Sequence, residues 1–352
     1  MTWTEQGLLV AGEIAPMGTK TVIEVPVFVD LSDAEINLVL HAVVGVEPGP
    51  VLGLHTGTHG SEWASVDITR RLVKELDPAT MKGAVLALPV ANPVAFGTQT
   101  RNTRDESDSP DLNRSFGGQQ TWIADQLARA IADHLYTHVD ALIDFHSGIW
   151  GSTMGSVTCG RDFDDPAVSE AAYRMARAFG LGHVRRGDLV TRFPGPKSGV
   201  GFAGQSHGVP GIISEIGGAG FDPAVEAAWS DRNHRGILGV MRELGILDGV
   251  PDIPDEVLIF DSVLRVNPAQ GGIVEPVFPV EGLMSQEVQP GEVLGVVWSP
   301  YTFEIVEELV SPVRGLVDMT CRQYPVRPGD WAFIVVDLDA PGTRILSREE
   351  MP

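Results

Sequence analysis

Cysteine is almost missing from this chain: among its 352 residues only Cys159 and Cys321 occur. They stand far apart and in no C-x-x-C arrangement, so a cysteine-based zinc site is excluded and no disulfide framework is expected. Both are expected to be core thiols in a reducing compartment, and the protein to be cytoplasmic. Long hydrophobic runs are missing too. No stretch of eighteen uncharged apolar residues occurs, and Met1 to Lys20 holds no basic segment followed by an apolar run and a cleavage site, which speaks against a membrane span or a leader. Positive charge is scarce, with 25 Lys and Arg against 47 Asp and Glu and a formal net charge of −22. That balance repels phosphate backbones and anionic bilayers, so neither nucleic acid nor membrane is an expected partner. It does not exclude an anionic small molecule, because a few arginines in a low-dielectric pocket outweigh distant, salt-screened carboxylates. The glycine-containing runs 49–60 and 195–204 carry no Walker or dinucleotide fingerprint, so no nucleotide cofactor is indicated.

What is present is ordinary globular composition, 43% hydrophobic and 20% charged, in a length that suits one large domain with a smaller companion. From about Val51 to Leu247, short apolar runs alternate with amphipathic stretches. Val51–His55, Ala84–Val90, Val139–Phe145 and Val209–Ile216 read as buried strands. Val66, Thr69, Leu72, Val73 and Leu76 form one helical stripe, and Ile123, Leu127, Ala130, Ile131 and Leu135 another. Strands alternating with helices predict an α/β fold, a mostly parallel, mixed sheet covered on both faces. Ligands of such sheets bind beyond the carboxyl ends of the strands. The proline-bearing stretch Gly249–Asp255 reads as a linker. After it, short runs separated by Gly and Pro turns predict an all-β unit. The expected division is a catalytic domain over 1–250 and a β domain over 256–345.

The sharpest motif is Thr58-His59-Gly60-Ser61-Glu62, where a strand gives way to a helix. An imidazole and a carboxylate spaced by three can be presented together by one tight turn, and both are good zinc ligands. Asp144-Phe145-His146-Ser147-Gly148 ends a second apolar run and brings His146 to the same crevice. Two histidines and one carboxylate leave a fourth tetrahedral position open, as in catalytic sites. Asp144 is positioned to orient His146 through its other ring nitrogen. Glu215, closing a further apolar run in Ser214-Glu215-Ile216-Gly217-Gly218, is a buried carboxylate that needs a partner, and it is assigned as general base. Between these segments lie Asn92-Pro93-Val94-Ala95-Phe96, the polar loop 101–110 with Arg101 and Arg104, and Asp111-Leu112-Asn113-Arg114. The arginines flank the crevice, where one guanidinium can stabilise an oxyanion and another can hold a substrate carboxylate.

The order H-G-x-E, N-P-x-A-F, D-L-N-R, D-F-H-S-G and E-I-G-G resembles the succinylglutamate desuccinylase and aspartoacylase family, relatives of the zinc carboxypeptidases. The motifs span most of the first 250 residues, and the β tail resembles that family's second domain. The resemblance implies one zinc on His59, Glu62 and His146, with Glu215 as the catalytic carboxylate. It also implies an arginine assisting the carbonyl, with Asn113 and Arg114 contacting an N-acylated amino acid. Arg101 is favoured for the carbonyl because it follows closely on N-P-V-A-F, with Arg104 as the alternative. Two features depart from the family: Ser61 stands where Asp is common, and the loop before Asp111 is longer.

A carboxypeptidase acting on peptides and a non-catalytic, metal- or ligand-binding relative are the competing readings. A carrier role for the tail is disfavoured, since 256–340 contains no lysine to modify. His134 and His138 are expected to lie four apart on one helix and serve its end, because Leu135 stands where a metalloprotease has Glu. His55 is expected near a strand end, His207 in a loop, and Met175 and Phe179 in the core. A homodimer is the default expectation for assembly.

Overall fold

The computed structural model describes residues 2–103, 110–119, 121–187, 195–280, 284, 286–347 and 350. At its centre is a ten-stranded mixed sheet. Its strands follow the order Arg344–Ser347, Glu256–Phe260, His183–Gly187, Val157–Gly160, Gly211–Ser214, Ala141–Phe145, Glu47–His55, Lys82–Leu88, Glu35–Val44 and Thr19–Val29. The four strands expected from the apolar runs are contiguous and mutually parallel. Being covered on both faces, they lack polar alternation: Ala141–Phe145 and Gly211–Ser214 are buried at every position. On one face the helices Ile123–His134 and Gly199–His207 pack through Leu127, Ile131, Val200 and Ala203. On the other, Ala64–Glu75, Pro166–Ala178 and Pro223–Glu243 contribute Ile68, Leu72, Ala172, Met175, Ile237 and Val240. Phe179 belongs to the same core, as expected. Asp165 and Asp222 cap two of these helices by accepting from Ala167 and Ala224 N–H, each ahead of a proline at the first helical position.

The stretch 249–255 has no regular structure, and beyond it the described residues form strands and turns only. The first and last of these strands, Glu256–Phe260 and Arg344–Ser347, extend the large sheet, so both parts of the chain share it. The remainder builds a six-stranded and a four-stranded sheet around Val274, Leu294, Val297, Val317, Phe333 and Val335.

The six-stranded sheet also recruits Ser152–Met154 and Gly217–Gly218, short strands that follow His146 and Glu215. Ser152, Thr153 and Met154 pair with Cys321, Thr320 and Met319, and Met154 and Thr153 pair with Gly217 and Gly218. The tail is thereby hydrogen-bonded to the segments leaving the carboxyl ends of the central strands.

This junction depends on a close backbone approach at Gly218, where a Cβ would stand 1.9 Å from the Ser152 carbonyl oxygen. Gly218→Ala is expected to destabilise the protein by about 1–3 kcal/mol, the usual cost of overpacking. Denaturant unfolding checks this, and an unchanged midpoint would show that the junction relaxes freely.

Candidate metal centre

His59 and Glu62 lie in the connection between Glu47–His55 and Ala64–Glu75. Glu62 N–H donates to the His59 carbonyl at 3.1 Å, closing the tight turn that the spacing predicted. Glu62 precedes the helix, whose N-cap is Trp63, and so serves no first helical turn. Gly60 is required by contact: a Cβ there would lie 2.0 Å from the Ala95 carbonyl oxygen. The N-P-V-A-F segment is the short helix Pro93–Thr98, capped by Asn92, whose side chain accepts from Ala95 N–H. Asn92 Nδ2 also donates to Thr103 Oγ1 at 2.8 Å, tethering the stretch that carries Arg101. His146 directly follows the strand Ala141–Phe145, and its N–H donates to the Ser214 carbonyl at 2.8 Å, which holds two strand ends together.

These local structures bring His59, Glu62 and His146 together. His59 Nδ1 lies 2.7 Å from Glu62 Oε1, and His146 Nδ1 lies 2.8 Å from Glu62 Oε2. One ligand atom from each of the three falls within 4.8 Å of the others, and all three residues are buried. Burial alone would raise the Glu62 carboxyl, but His59 and His146 outweigh it and hold the group well below the usual carboxylate range. Burial would lower His146, yet Asp144 and Glu62 push it well above an ordinary imidazole. Cationic charge is thus favoured at this point.

The far side of each imidazole supports the same chemistry. Asp111 Oδ1 stands 3.0 Å from His59 Nε2. Asp144, fully buried, places Oδ2 at 3.4 Å from His146 Nε2, and neither of its oxygens has a good hydrogen-bond partner among the described residues. Asn113 Nδ2 also lies near His146 Nε2, at 3.2 Å, but Asn113 Oδ1 is committed to the Gly199 N–H at 2.9 Å. The amide therefore turns a donor towards the ring. With His146 Nδ1 given to a metal, the Nε2 proton has Asp144 as its acceptor, and the orphaned carboxylate fits that need.

Around the three ligand candidates is a cavity of about 100 Å³ also lined by Glu215, Arg101, Asn113 and Arg114. Arg101 Nη1 donates to Glu62 Oε1 at 3.3 Å and Nη2 to Asp111 Oδ2 at 3.1 Å. Asp111 additionally caps the single turn Leu112–Arg114. Burial, reinforced by Glu62 and Asp318 and opposed by His146, raises the Glu215 carboxyl to about 7. Arg104 lies outside the described residues. The cavity opens into a wider one of about 570 Å³ that shares Glu62, Arg101, Arg114, Met154 and Trp331 and is walled by Tyr324 of the tail.

Several expectations change. His134 ends its helix and His138 sits in a separate turn, Tyr136–His138, so the two do not share a helix. His207 is the last residue of the helix Gly199–His207, not a loop residue, and meets Phe202 edge-on. His55, by contrast, packs at its strand end as expected: it closes Glu47–His55 and is fully buried, 3.0 Å from the Tyr136 hydroxyl and 3.1 Å from Thr58 Oγ1. Sequence reasoning missed the contact of Asp111 with His59, although an acid two residues before Asn113 was the available signal. It also missed Arg185 and Arg265, on distant strands, and Trp331, just ahead of the strand Phe333–Asp337, which complete the cavity wall.

Residues 48–244 match the family model described as the succinylglutamate desuccinylase/aspartoacylase catalytic domain. The chain belongs to this family of deacylases. Solved structures agree in fold. A succinylglutamate desuccinylase from a Silicibacter species has a TM-score of 0.76 at 19% identity, covering 92% of this chain and 97% of its own. A product-bound ectoine utilization protein from Ruegeria pomeroyi scores 0.75 at 19% identity, covering 95% and 100%. A succinylglutamate desuccinylase/aspartoacylase from Rhodobacter sphaeroides scores 0.73 at 21% identity, covering 90% and 95%. No curated protein sequence matches the chain. Among the described residues, no helix is long and apolar enough to cross a membrane.

Replacing the orphaned carboxylate by an amide tests the centre without touching a ligand atom. Asp144→Asn is expected to weaken divalent-metal binding about 10- to 100-fold, as outer-shell substitutions at histidine ligands do. Chelator competition on the purified protein measures this. Unchanged affinity would mean that Asp144 does not orient His146.

Proposed function

We propose that the chain is a zinc-dependent hydrolase that cleaves the linear amide of a small N-acyl amino acid, with Glu215 as base and Arg101 as oxyanion donor. The observation that carries this is the convergence of His59, Glu62 and His146 on one buried point beside Glu215 and Arg101, in a single cavity. Two imidazoles and one carboxylate suit zinc and leave room for a reacting group. Zinc held there would act as a Lewis acid and lower the pKa of water from about 15.7 towards about 7.

The chain's own residues supply the remaining chemistry. Glu215 accepts a proton from the attacking water and returns it to the departing amine nitrogen. Its low-dielectric surroundings keep its proton affinity near the working pH, so both transfers are feasible. Arg101, steered by Glu62 and Asp111, donates to the carbonyl oxygen as negative charge develops. A preorganised donor of this kind contributes roughly 3 kcal/mol to barrier lowering. Arg114 and Asn113 hold the substrate carboxylate on the same wall. The tail residues Tyr324 and Trp331 at the outer cavity disfavour long peptides, so a small substrate is preferred over the carboxypeptidase alternative. The two buried, unpaired thiols suit a reducing, cytoplasmic setting.

The zinc-loaded protein is expected to carry about one metal per chain and to release amine from N-acetyl or N-succinyl amino acids. Glu215→Gln should keep the metal and lose roughly 10²- to 10⁴-fold in kcat. Because the base works ionised and burial raises its pKa to about 7, activity is lost as pH falls through that value. A bound cation favours the carboxylate and draws the limb lower, so the acid limb of kcat/KM is expected between about 4.3, an exposed glutamate, and about 7. Absence of metal, or equal turnover by Glu215→Gln, would overturn these roles.

A further inference from the structure

The proposed reaction gives His55 no task, although this imidazole is fully buried close behind the metal centre. It is the register partner of Asp144 across the parallel strands Glu47–His55 and Ala141–Phe145, so both side chains leave the same face of the sheet. His55 Nδ1 lies 3.7 Å from Asp144 Oδ1, and Asp144 Oδ2 lies 3.4 Å from His146 Nε2. The carboxylate thus stands between two imidazoles, only one of which is a ligand candidate. Two hydroxyls hold the other ring, Tyr136 at 3.0 Å from Nδ1 and Thr58 at 3.1 Å from Nε2. Phe116 stacks on Tyr136, with ring centroids 5.4 Å apart, and meets His55 edge-on at 6.1 Å. Gly199 permits the convergence: a Cβ there would stand 2.8 Å from the Tyr136 hydroxyl, 3.0 Å from Asp144 Oδ2 and 3.2 Å from His55 Nδ1.

The Asp144 carboxylate decides where the His55 proton sits. Either neutral tautomer satisfies Tyr136 and Thr58, because a hydroxyl can donate or accept. An unprotonated Nδ1 would aim a lone pair at a buried anion 3.7 Å away, whereas Nδ1–H turns the positive end of its dipole towards it. Nδ1–H is then shared between Asp144 and the Tyr136 oxygen, and Thr58 donates to Nε2. We infer that His55 is a positioning residue: clamped by Tyr136 and Thr58, it fixes Asp144 against His146 and so sets the orientation of that ring before metal is bound. This inference rests on the zinc reading of His59, Glu62 and His146 and adds the support behind it.

Zinc affinity of the full chain, measured by chelator competition, is the test. His55→Leu is expected to weaken binding about 10-fold, at the lower end for substitutions behind a histidine ligand. Tyr136→Phe removes the hydroxyl, keeps the stacked ring and should weaken binding about 3-fold, the scale of one net hydrogen bond; it covers the case in which His55→Leu does not fold. Introduced into Asp144→Asn, neither substitution should weaken binding further, because both act through that carboxylate. A merely structural role would lower the unfolding midpoint and leave the zinc affinity of the folded chain unchanged. Unchanged affinity in both variants, or losses that add fully to that of Asp144→Asn, overturn the inference. Nitrogen NMR of the imidazoles in the metal-free chain supplies a readout independent of zinc. The His55 proton is expected on Nδ1, with its signal moving upfield in Asp144→Asn; a proton on Nε2 overturns the inference. If the wild type binds no zinc, the zinc reading fails, and this signal decides the His55–Asp144 contact separately.

Discussion

The Glu62 carboxylate, caught between the Nδ1 atoms of His59 and His146, is the contact on which the rest of the site depends. A buried carboxylate is costly unless cationic or hydrogen-bonding partners meet both oxygens. Here each oxygen meets one imidazole, and Arg101 adds a third donor. The arrangement requires two parallel strands to end at the same level and a turn to fold back between strand and helix. The contact therefore ties the site's geometry to the sheet's register. A shift of either strand by one residue would reverse its side chains and scatter the ligands.

Stabilisation extends outward in shells of opposite charge. Asp111 and Asp144 stand behind the two histidines, and Arg101 bridges Asp111 to Glu62. Asp111 illustrates how a loop residue serves fold and chemistry together, since it caps a turn, orients an imidazole and positions a guanidinium. Glu215 differs from the other acids because burial, with Glu62 and Asp318 adding to it, outweighs the pull of His146 and His59 and raises its proton affinity, whereas at Glu62 the two histidines prevail over burial.

The central sheet was legible because its strands are buried on both faces and so appear as uninterrupted apolar runs. His59, Glu62 and His146 were legible because each sits within a few residues of such a run's end, where α/β folds bind ligands. The antiparallel pair Thr19–Val29 and Glu35–Val44 gave a weaker signal: it lies at the sheet's edge, and Thr19–Val29 exposes alternate residues, including Val22 and Val29. Arg185, Arg265 and Trp331 carried no local signal at all. Their common location arises from strand order and tail docking, and no spacing along the chain encodes it. For the same reason the linker before Glu256 did not reveal that the strand after it returns to the large sheet.

Charge is segregated in this molecule: an acidic chain gathers arginines around its cavity. A net charge of −22 repels anions at a distance, but ionic screening confines that field to about 8–10 Å at physiological salt. Inside the recess the dielectric is lower and the arginines are close, so the local field prevails. Three of those arginines, Arg101, Arg114 and Arg185, belong to the central sheet and its loops, whereas Arg265 comes from the tail. The tail's hydrogen-bonded pairing with Ser152–Met154 then has a chemical consequence. It holds a cation and an aromatic ring against a cavity that the central sheet could not close by itself.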